Sequence, residues 1–337
     1  MTNLGTSSAP LLKVENLKMY FPVRKGFFAR TAGWVKAVDG VSFEVPAGKT
    51  FGLVGESGCG KTTTGKCVLR AITPTSGSIV YSGVDIAKIS RWELKKYRKE
   101  LQLIFQDPYS SLDPRQSVAS ILKEALTADK KPRYASEIKE RVEELLLTVG
   151  LQVEMMARYP HELSGGQRQR LGIARALACD PRFIVCDEPV SALDVSIQAQ
   201  IINLFLKLQR ELNLTYVFVA HDLAVVRHIA DRVGVMYLGR LVEIMDAHDL
   251  YSNTLHPYSQ ALLSAVPTTD YYEEKKRKRI ILEGEVPSPI NAPEGCLFHP
   301  RCRYATVECK EAMPPLTKTS EGHYVACYHV DAEDTCI

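Results

Sequence analysis

The chain has 337 residues, with 42 Lys and Arg against 39 Asp and Glu, so its formal net charge is only +3. A dedicated polyanion binder concentrates a far larger basic excess on one face, and no nucleic-acid partner is expected. Apolar residues at 45% and charged residues at 24% make an ordinary globular composition and exclude disorder as the main state. The length suits two domains, or one large domain with an appendage. No apolar run approaches the roughly 18 residues of a membrane span. The start, MTNLGTSSAPLLKVEN, lacks the charged-then-apolar order of a signal peptide, so a cytoplasmic chain is expected.

In chain order, LLKVENL, VSFEV and TFGLVG read as strands, bounded by turn residues such as Pro46-Ala47-Gly48. The intervening RKGFFARTAGW, with Gly26 and Gly33, is expected to be an exposed loop. A helix is expected from Lys61, closed by a turn at Pro74-Thr75-Ser76-Gly77. Residues 107–163 open on a loop, Asp107 to Pro114, and continue with Ile138, Val142, Leu145, Leu146 and Val149 at helical spacing, which predicts an inserted helical subdomain. Then follow a buried strand at 183–186, a helix from Ile197 to Leu212, and strands at 215–220 and 233–238. Alternating strands and helices predict a parallel α/β sheet. Beyond about residue 250, eight prolines and the charged run Glu273 to Arg279 suggest a separate, loop-rich appendage. The run itself reads as a solvated face.

The segment Gly55-Glu56-Ser57-Gly58-Cys59-Gly60-Lys61-Thr62 satisfies G-x-x-x-x-G-K-[ST] directly after an apolar strand. Glycines let backbone N–H groups converge on phosphate oxygens, the following helix points its positive end at them, and Lys61 reaches the β and γ phosphates. The Thr62 hydroxyl, with Thr63 beside it, suits Mg²⁺. Phe183-Ile184-Val185-Cys186-Asp187-Glu188 is a buried strand ending in two carboxylates. That order offers Asp187 to the Mg²⁺ shell and Glu188 to a water.

Leu163-Ser164-Gly165-Gly166-Gln167 stands between these elements and resembles the signature of ABC-type ATPases. The companions come in order: Gln106 after LQLIF, Ser191-Ala192-Leu193-Asp194, and His221 after TYVFVA. The resemblance implies a P-loop ATPase with a mixed-sheet core over residues 1–250 and an extension over 251–337. It implies a head-to-tail pair in which Ser164, Gly165, Gly166, Gln167 and Asp194 of one subunit address ATP held by the other. His221 would hold the γ-phosphate and the water network, and Gln106 would join Thr62 and Asp187 around Mg²⁺. An aromatic near the end of the first strand would stack on adenine; spacing favours Phe21, with Tyr20 next.

Wording such as GESGCGKTT, IFQDPYSSLDPR, CDEPVSALDVSIQAQ and HPYSQALLSAVP is similar to the ATPase subunits of bacterial dipeptide and oligopeptide importers, of the second-ATPase type. Implied partners are a second ATPase subunit or a second copy, two membrane permease subunits bordering Gln106 to Pro114, and indirectly an extracytoplasmic peptide-binding protein. The implied place is the cytoplasmic face of the membrane. Thr62-Thr63 departs from the commoner Lys-Ser-Thr wording. An importer ATPase for nickel or another solute, a soluble ABC ATPase, and an iron–sulfur nucleotide-binding regulator are the alternative readings.

Nine cysteines are many for a reducing compartment, and five crowd the end: Cys296, Cys302, Cys309, Cys327 and Cys336. The first four are spaced C-x5-C-x6-C-x17-C, which lacks the short knuckle of a structural zinc site. Zinc, with His299, His323 or His329 as further ligands, and four unliganded thiols both stay open. The family resemblance favours a [4Fe–4S] cluster with a structural role.

Overall fold

A computed structural model describes residues 9–25, 30–128, 134–266 and 279–330. Gly26, Phe27, Phe28, nearly all of the charged run 273–279, and Cys336 lie outside them. The chain divides into two compact units: residues 1–46, 50–88 and 220–337 form the first, and residues 47–49 and 89–219 the second.

In the first unit, β1 (Leu12–Lys25) and β2 (Arg30–Val45) form a long antiparallel ribbon, paired from Leu12 opposite Val45 to Lys25 opposite Arg30 with register shifts along the way. The stretch expected to be a loop is therefore strand at Arg24, Lys25 and 30–34. Cross-strand pairing there overrides a local sequence rich in turn formers. β4 (Ser76–Tyr81) pairs with the other edge of β1 and with β5 (Val84–Asp85), giving the order β2-β1-β4-β5. Ser76-Gly77 thus begins a strand instead of closing a helix; α1 (Lys61–Val68) has already ended. Thr75 ties this approach to β1, donating its N–H to Lys18 O at 2.8 Å and accepting from Tyr20 N at 3.0 Å.

The expected parallel pairing is present where β3 (Thr50–Val54) lies beside β9 (Arg232–Tyr237). All five residues of β3 are buried, as the apolar run predicts. α8 (Leu223–Ile229) covers it, and Gly52 is required there because a Cβ would run into Val226 and Ala230. β10 (Arg240–Asp246) then returns antiparallel to β9, which makes the sheet mixed.

The tail belongs to this same unit. α9 (Pro257–Ser264) begins with His256 as its cap, whose Nδ1 accepts the Tyr258 N–H at 3.1 Å. Burial pushes His256 down to about 3, keeping the ring neutral and able to accept. Further on, β12 (His323–Val325) pairs antiparallel with β10, and β11 (Thr317–Ser320) with β12. The tail, expected to stand apart, thus contributes β11 and β12 to the sheet of β9 and β10.

The second unit has a parallel trio, β6 (Leu101–Ile104), β7 (Phe183–Asp187) and β8 (Thr215–Val219), with β7 and β8 buried throughout. Its helices are α2 (Arg91–Leu94), α3 (Pro108–Ser111), α4 (Val118–Thr127), α5 (Ala135–Thr148), α6 (Gly165–Leu177) and α7 (Val195–Leu212). α4 buries Val118, Ile121, Leu122 and Leu126, and α5 buries Val142, Leu145 and Leu146. The α5 face is the one expected from the spacing of Val142, Leu145 and Leu146, and α4 adds a second apolar face. Among the described residues no helix is long and apolar enough to cross a membrane.

Glu243 on β10 holds the tail. Fully buried, its carboxylate accepts N–H groups from Leu255 at 2.7 Å and His256 at 3.2 Å, and lies 2.9 Å from His323 Nε2. Removing it strands three buried polar groups. Glu243→Ala is expected to lower the free energy of unfolding by about 3–5 kcal/mol. Urea denaturation followed by circular dichroism measures this; a loss below about 1 kcal/mol would show that the tail is held elsewhere.

Candidate functional site

The first unit presents the glycine-rich loop between β3 and α1. Gly55 has φ +150° and Gly60 has φ +108°; a Cβ on the first would strike Met236 O, and on the second Ala37 O. Gly58 is also left-handed, at φ +79°, but faces open space. From the far side, the Gly239 N–H donates to Cys59 O at 2.8 Å. Lys61, 4% exposed, donates from Nζ to Gly55 O at 2.8 Å and Glu56 O at 3.0 Å. Cys59 is buried beside it, and burial pushes that thiol up despite the ammonium. Thr62 and Thr63 are half-buried in the first turn of α1.

His221 is exposed, one residue after Ala220, whose N–H donates to Leu53 O at 3.2 Å. That bond places His221 at the strand end from which the glycine-rich loop departs. The two aromatic candidates differ sharply. Tyr20 OH donates to Asp39, which also accepts two bonds from Arg240, at 3.0 and 2.7 Å. Burial and the adjacent carboxylate push the Tyr20 phenol up to about 12. Burial alone would raise Asp39, but the bonds from Tyr20 and Arg240 outweigh it and hold the carboxyl below its usual range. Phe21, by contrast, is 37% exposed.

The second unit gathers the remaining motif residues. Asp187 ends β7, buried. Glu188 follows with φ +44°, an unusual backbone state for a non-glycine residue and one that concentrates at functional sites. It is held there by its N–H to Val219 O at 3.0 Å and by Ser191, whose N and Oγ both donate to Glu188 O. Its side chain accepts from Gln106 Nε2 at 3.0 Å, which joins two motifs separated by 82 positions.

Ser164 caps α6: its Oγ accepts from Gln167 N at 3.3 Å, and Gln167 Oε1 accepts from Ser164 N at 2.9 Å. Gly165 and Gly166 lie against Leu193 and Ile197, so closely that a Cβ on Gly166 would come 2.7 Å from Ile197 Cγ2. The signature turn therefore packs on the Ser191–Asp194 segment, with Asp194 exposed as the cap position of α7.

Sequence reasoning missed two groups of residues. Arg168 and Arg175, on α6, brace the segment that follows Gln106: Arg168 lies 5.2 Å over the Tyr109 ring, and Arg175 lies 5.8 Å over Phe105 and donates to Ser111 O. Two arginines seven apart on one helix face were the available signal. Tyr258 and Arg301 were also missed; both bind Glu56 of the glycine-rich loop, across about 200 positions that no local pattern spans.

Cys296, Cys302, Cys309 and Cys327 line one small cavity, together with His299 and His329. Cys309 Sγ lies 3.5 Å from His329 Nε2, and no described cysteine forms a disulfide. Burial pushes the Cys296 and Cys302 thiols up. Among the described residues no group of three or more His, Cys, Asp or Glu side chains is arranged to hold a metal ion. These side-chain positions therefore support neither the zinc nor the iron–sulfur expectation.

Comparison with known proteins matches residues 38–191 to the family described as ABC transporter, and residues 242–309 to one described as oligopeptide/dipeptide transporter, C-terminal region. The oligopeptide transport ATP-binding protein AppF of Bacillus subtilis is 54% identical over 319 residues, 94% of this chain and 97% of that protein. The dipeptide transport ATP-binding protein DppF of Haemophilus influenzae is 49% identical over 331 residues, 98% and 100% of the two chains. Among solved structures, the dimeric post-hydrolysis ATP-binding cassette MJ0796 with ADP and Pi matches at TM-score 0.63 and 26% identity, covering 70% of this chain and 98% of that one.

The two glycines give a contrast that tests the loop. Gly60→Ala, driven into a backbone carbonyl, is expected to destabilise the nucleotide-free protein by about 3 kcal/mol or more. Gly58→Ala meets nothing and is expected to cost about 1 kcal/mol. Equal losses in chemical denaturation would mean that the loop is not wedged.

Proposed function

The chain belongs to the family of ATP-binding subunits of ABC-type oligopeptide and dipeptide transporters, and on that premise we propose how its residues power import. It is a Mg²⁺-dependent ATPase. The observation that carries the reading is the near full-length likeness to AppF and DppF, which spans both the nucleotide motifs and the C-terminal region.

In this mechanism the backbone N–H groups of residues 57–62 receive the phosphates, and Lys61 exchanges its two carbonyl contacts for β and γ phosphate oxygens. Thr62, Asp187 and Gln106 are the residues to hold Mg²⁺, which neutralises phosphate charge. Glu188, aimed by its left-handed backbone and by Gln106, polarises the attacking water, and His221 orders the γ-phosphate. Catalysis then rests on positioning and electrostatics in an in-line displacement. Phe21 is the adenine platform, because Tyr20 is engaged with Asp39. Ser164, Gly165, Gly166, Gln167 and Asp194 act on ATP held by a partner ATPase, either a paralogous subunit or a second copy. The braces from Arg168 and Arg175 link that signature helix to the Gln106 segment, the face for two membrane permease subunits. The chain is then peripheral at the cytoplasmic face, moving peptide delivered by an extracytoplasmic binding protein.

Functionally, residues 1–250 are the ATPase domain, with 107–163 as its helical subdomain, and 251–337 are the transporter-specific extension. The extension's four cysteines, which line one cavity, are a site for a [4Fe–4S] cluster on the strength of the family resemblance.

Glu188→Gln is expected to retain ATP-dependent dimerisation while steady-state hydrolysis falls at least about 100-fold. Unchanged turnover would remove Glu188 from this role. For the extension, anaerobically purified protein is expected to carry about four iron and four sulfide per chain, lost in Cys302→Ser. Iron-free protein with an unaltered fold would sink the cluster assignment and leave the ATPase reading intact.

A further inference from the structure

The phosphate-binding loop contains a carboxylate, Glu56, next to the place where a triphosphate is received. An acid there opposes anion binding unless it is compensated. Arg301 compensates it: its Nη1 donates to both Glu56 carboxylate oxygens, at 2.9 and 3.2 Å. The Arg301 side chain is only 8% exposed and that of Glu56 25%, so water screens the pair weakly. The same residue is pinned through its main chain, since the Glu56 N–H donates to Tyr258 OH at 2.9 Å. That hydroxyl belongs to a fully buried ring packed against Tyr237 at 4.6 Å and Phe298 at 5.4 Å between centroids. Both restraints come from beyond residue 250. Arg301 closes the turn His299–Arg301, and the next residue, Cys302, lines the cysteine cavity.

We propose that Arg301, carried by the C-terminal extension, is a positioning residue for ATP: it neutralises Glu56 and, with Tyr258, holds the loop in its phosphate-receiving form. The proposal rests on the reading of this loop as the ATP site. It gives the extension a direct part in nucleotide binding, distinct from any metal it holds. Arg301 acts through Glu56 and not by contact with the phosphates, and this sets the sign of its mutational effects. Removing Arg301 alone exposes an uncompensated anion to the triphosphate. Removing Glu56 alone leaves a cation that favours it. Removing both returns the charge balance.

The test is calorimetric titration of full-length protein with MgATP at low salt, with thermal unfolding of each variant as a fold check. Arg301→Gln is expected to raise the Kd at least about fivefold, Glu56→Gln to lower it, and the double variant to return within about twofold of the parent. Arg301→Lys, which keeps the charge, is expected to stay within about threefold and serves if Arg301→Gln does not fold. Raising the salt to 0.5 M should shrink the Arg301→Gln effect, because screening weakens a charge term. If Glu56→Gln and Arg301→Gln weaken binding alike and the double variant is no better, the pair is only a structural brace and the proposal is overturned. Lys61→Ala must lose ATP binding in the same assay; retained binding would overturn the reading of the loop itself.

Discussion

The constraint on which the rest of this molecule depends is the closeness of the phosphate-binding loop to two neighbouring backbones. Gly55 and Gly60 leave no room for a Cβ before Met236 O and Ala37 O, and the Gly239 N–H closes the loop from a third side. The loop is thus shaped by β2, by β9 and by the β9–β10 turn, more than by its own hydrogen bonds. A glycine-rich segment would otherwise lose much conformational entropy on ordering, and this packing offsets that cost. The long β1–β2 ribbon has a physical purpose in the same terms, because it delivers the Ala37 backbone to the loop.

The second unit solves a different problem, keeping three separated motifs in register. Glu188 is held in a left-handed conformation by Val219 and Ser191 and is reached by Gln106. The signature turn rests on Leu193 and Ile197, so any displacement of that helix is felt at the segment beside Glu188. Arg168 and Arg175 extend the linkage to Phe105, Tyr109 and Ser111. Interlocked contacts of this kind transmit movement better than a continuous soft surface would.

The C-terminal extension is integrated through polar groups that would be costly to bury alone. Glu243 gathers Leu255, His256 and His323, while Tyr258 and Arg301 reach the phosphate loop. A Pro-rich segment with little core of its own gains order by attaching to a sheet edge and to a buried carboxylate. This explains how a loop-rich sequence yields a well-placed cysteine cavity.

The sequence by itself determined the local elements: the loop from Gly55 to Thr62, the Asp187-Glu188 pair at a strand end, the Ser164 cap and the buried strands β3, β7 and β8 all follow from local residue order. Each depends on contacts within a few positions or on one strand's apolar run, and short-range physics is written locally. Only the tertiary structure decided that residues 30–34 pair as strand, that Ser76-Gly77 begins β4, and that the tail joins the sheet at β10. It showed Tyr20 drawn to Asp39 and Phe21 exposed, and it alone put Arg301 on Glu56. These outcomes turn on partners from 5 positions away, for Lys25 and Arg30, to 245, for Glu56 and Arg301, and the energy that selects them exists only once the chain has brought those partners together.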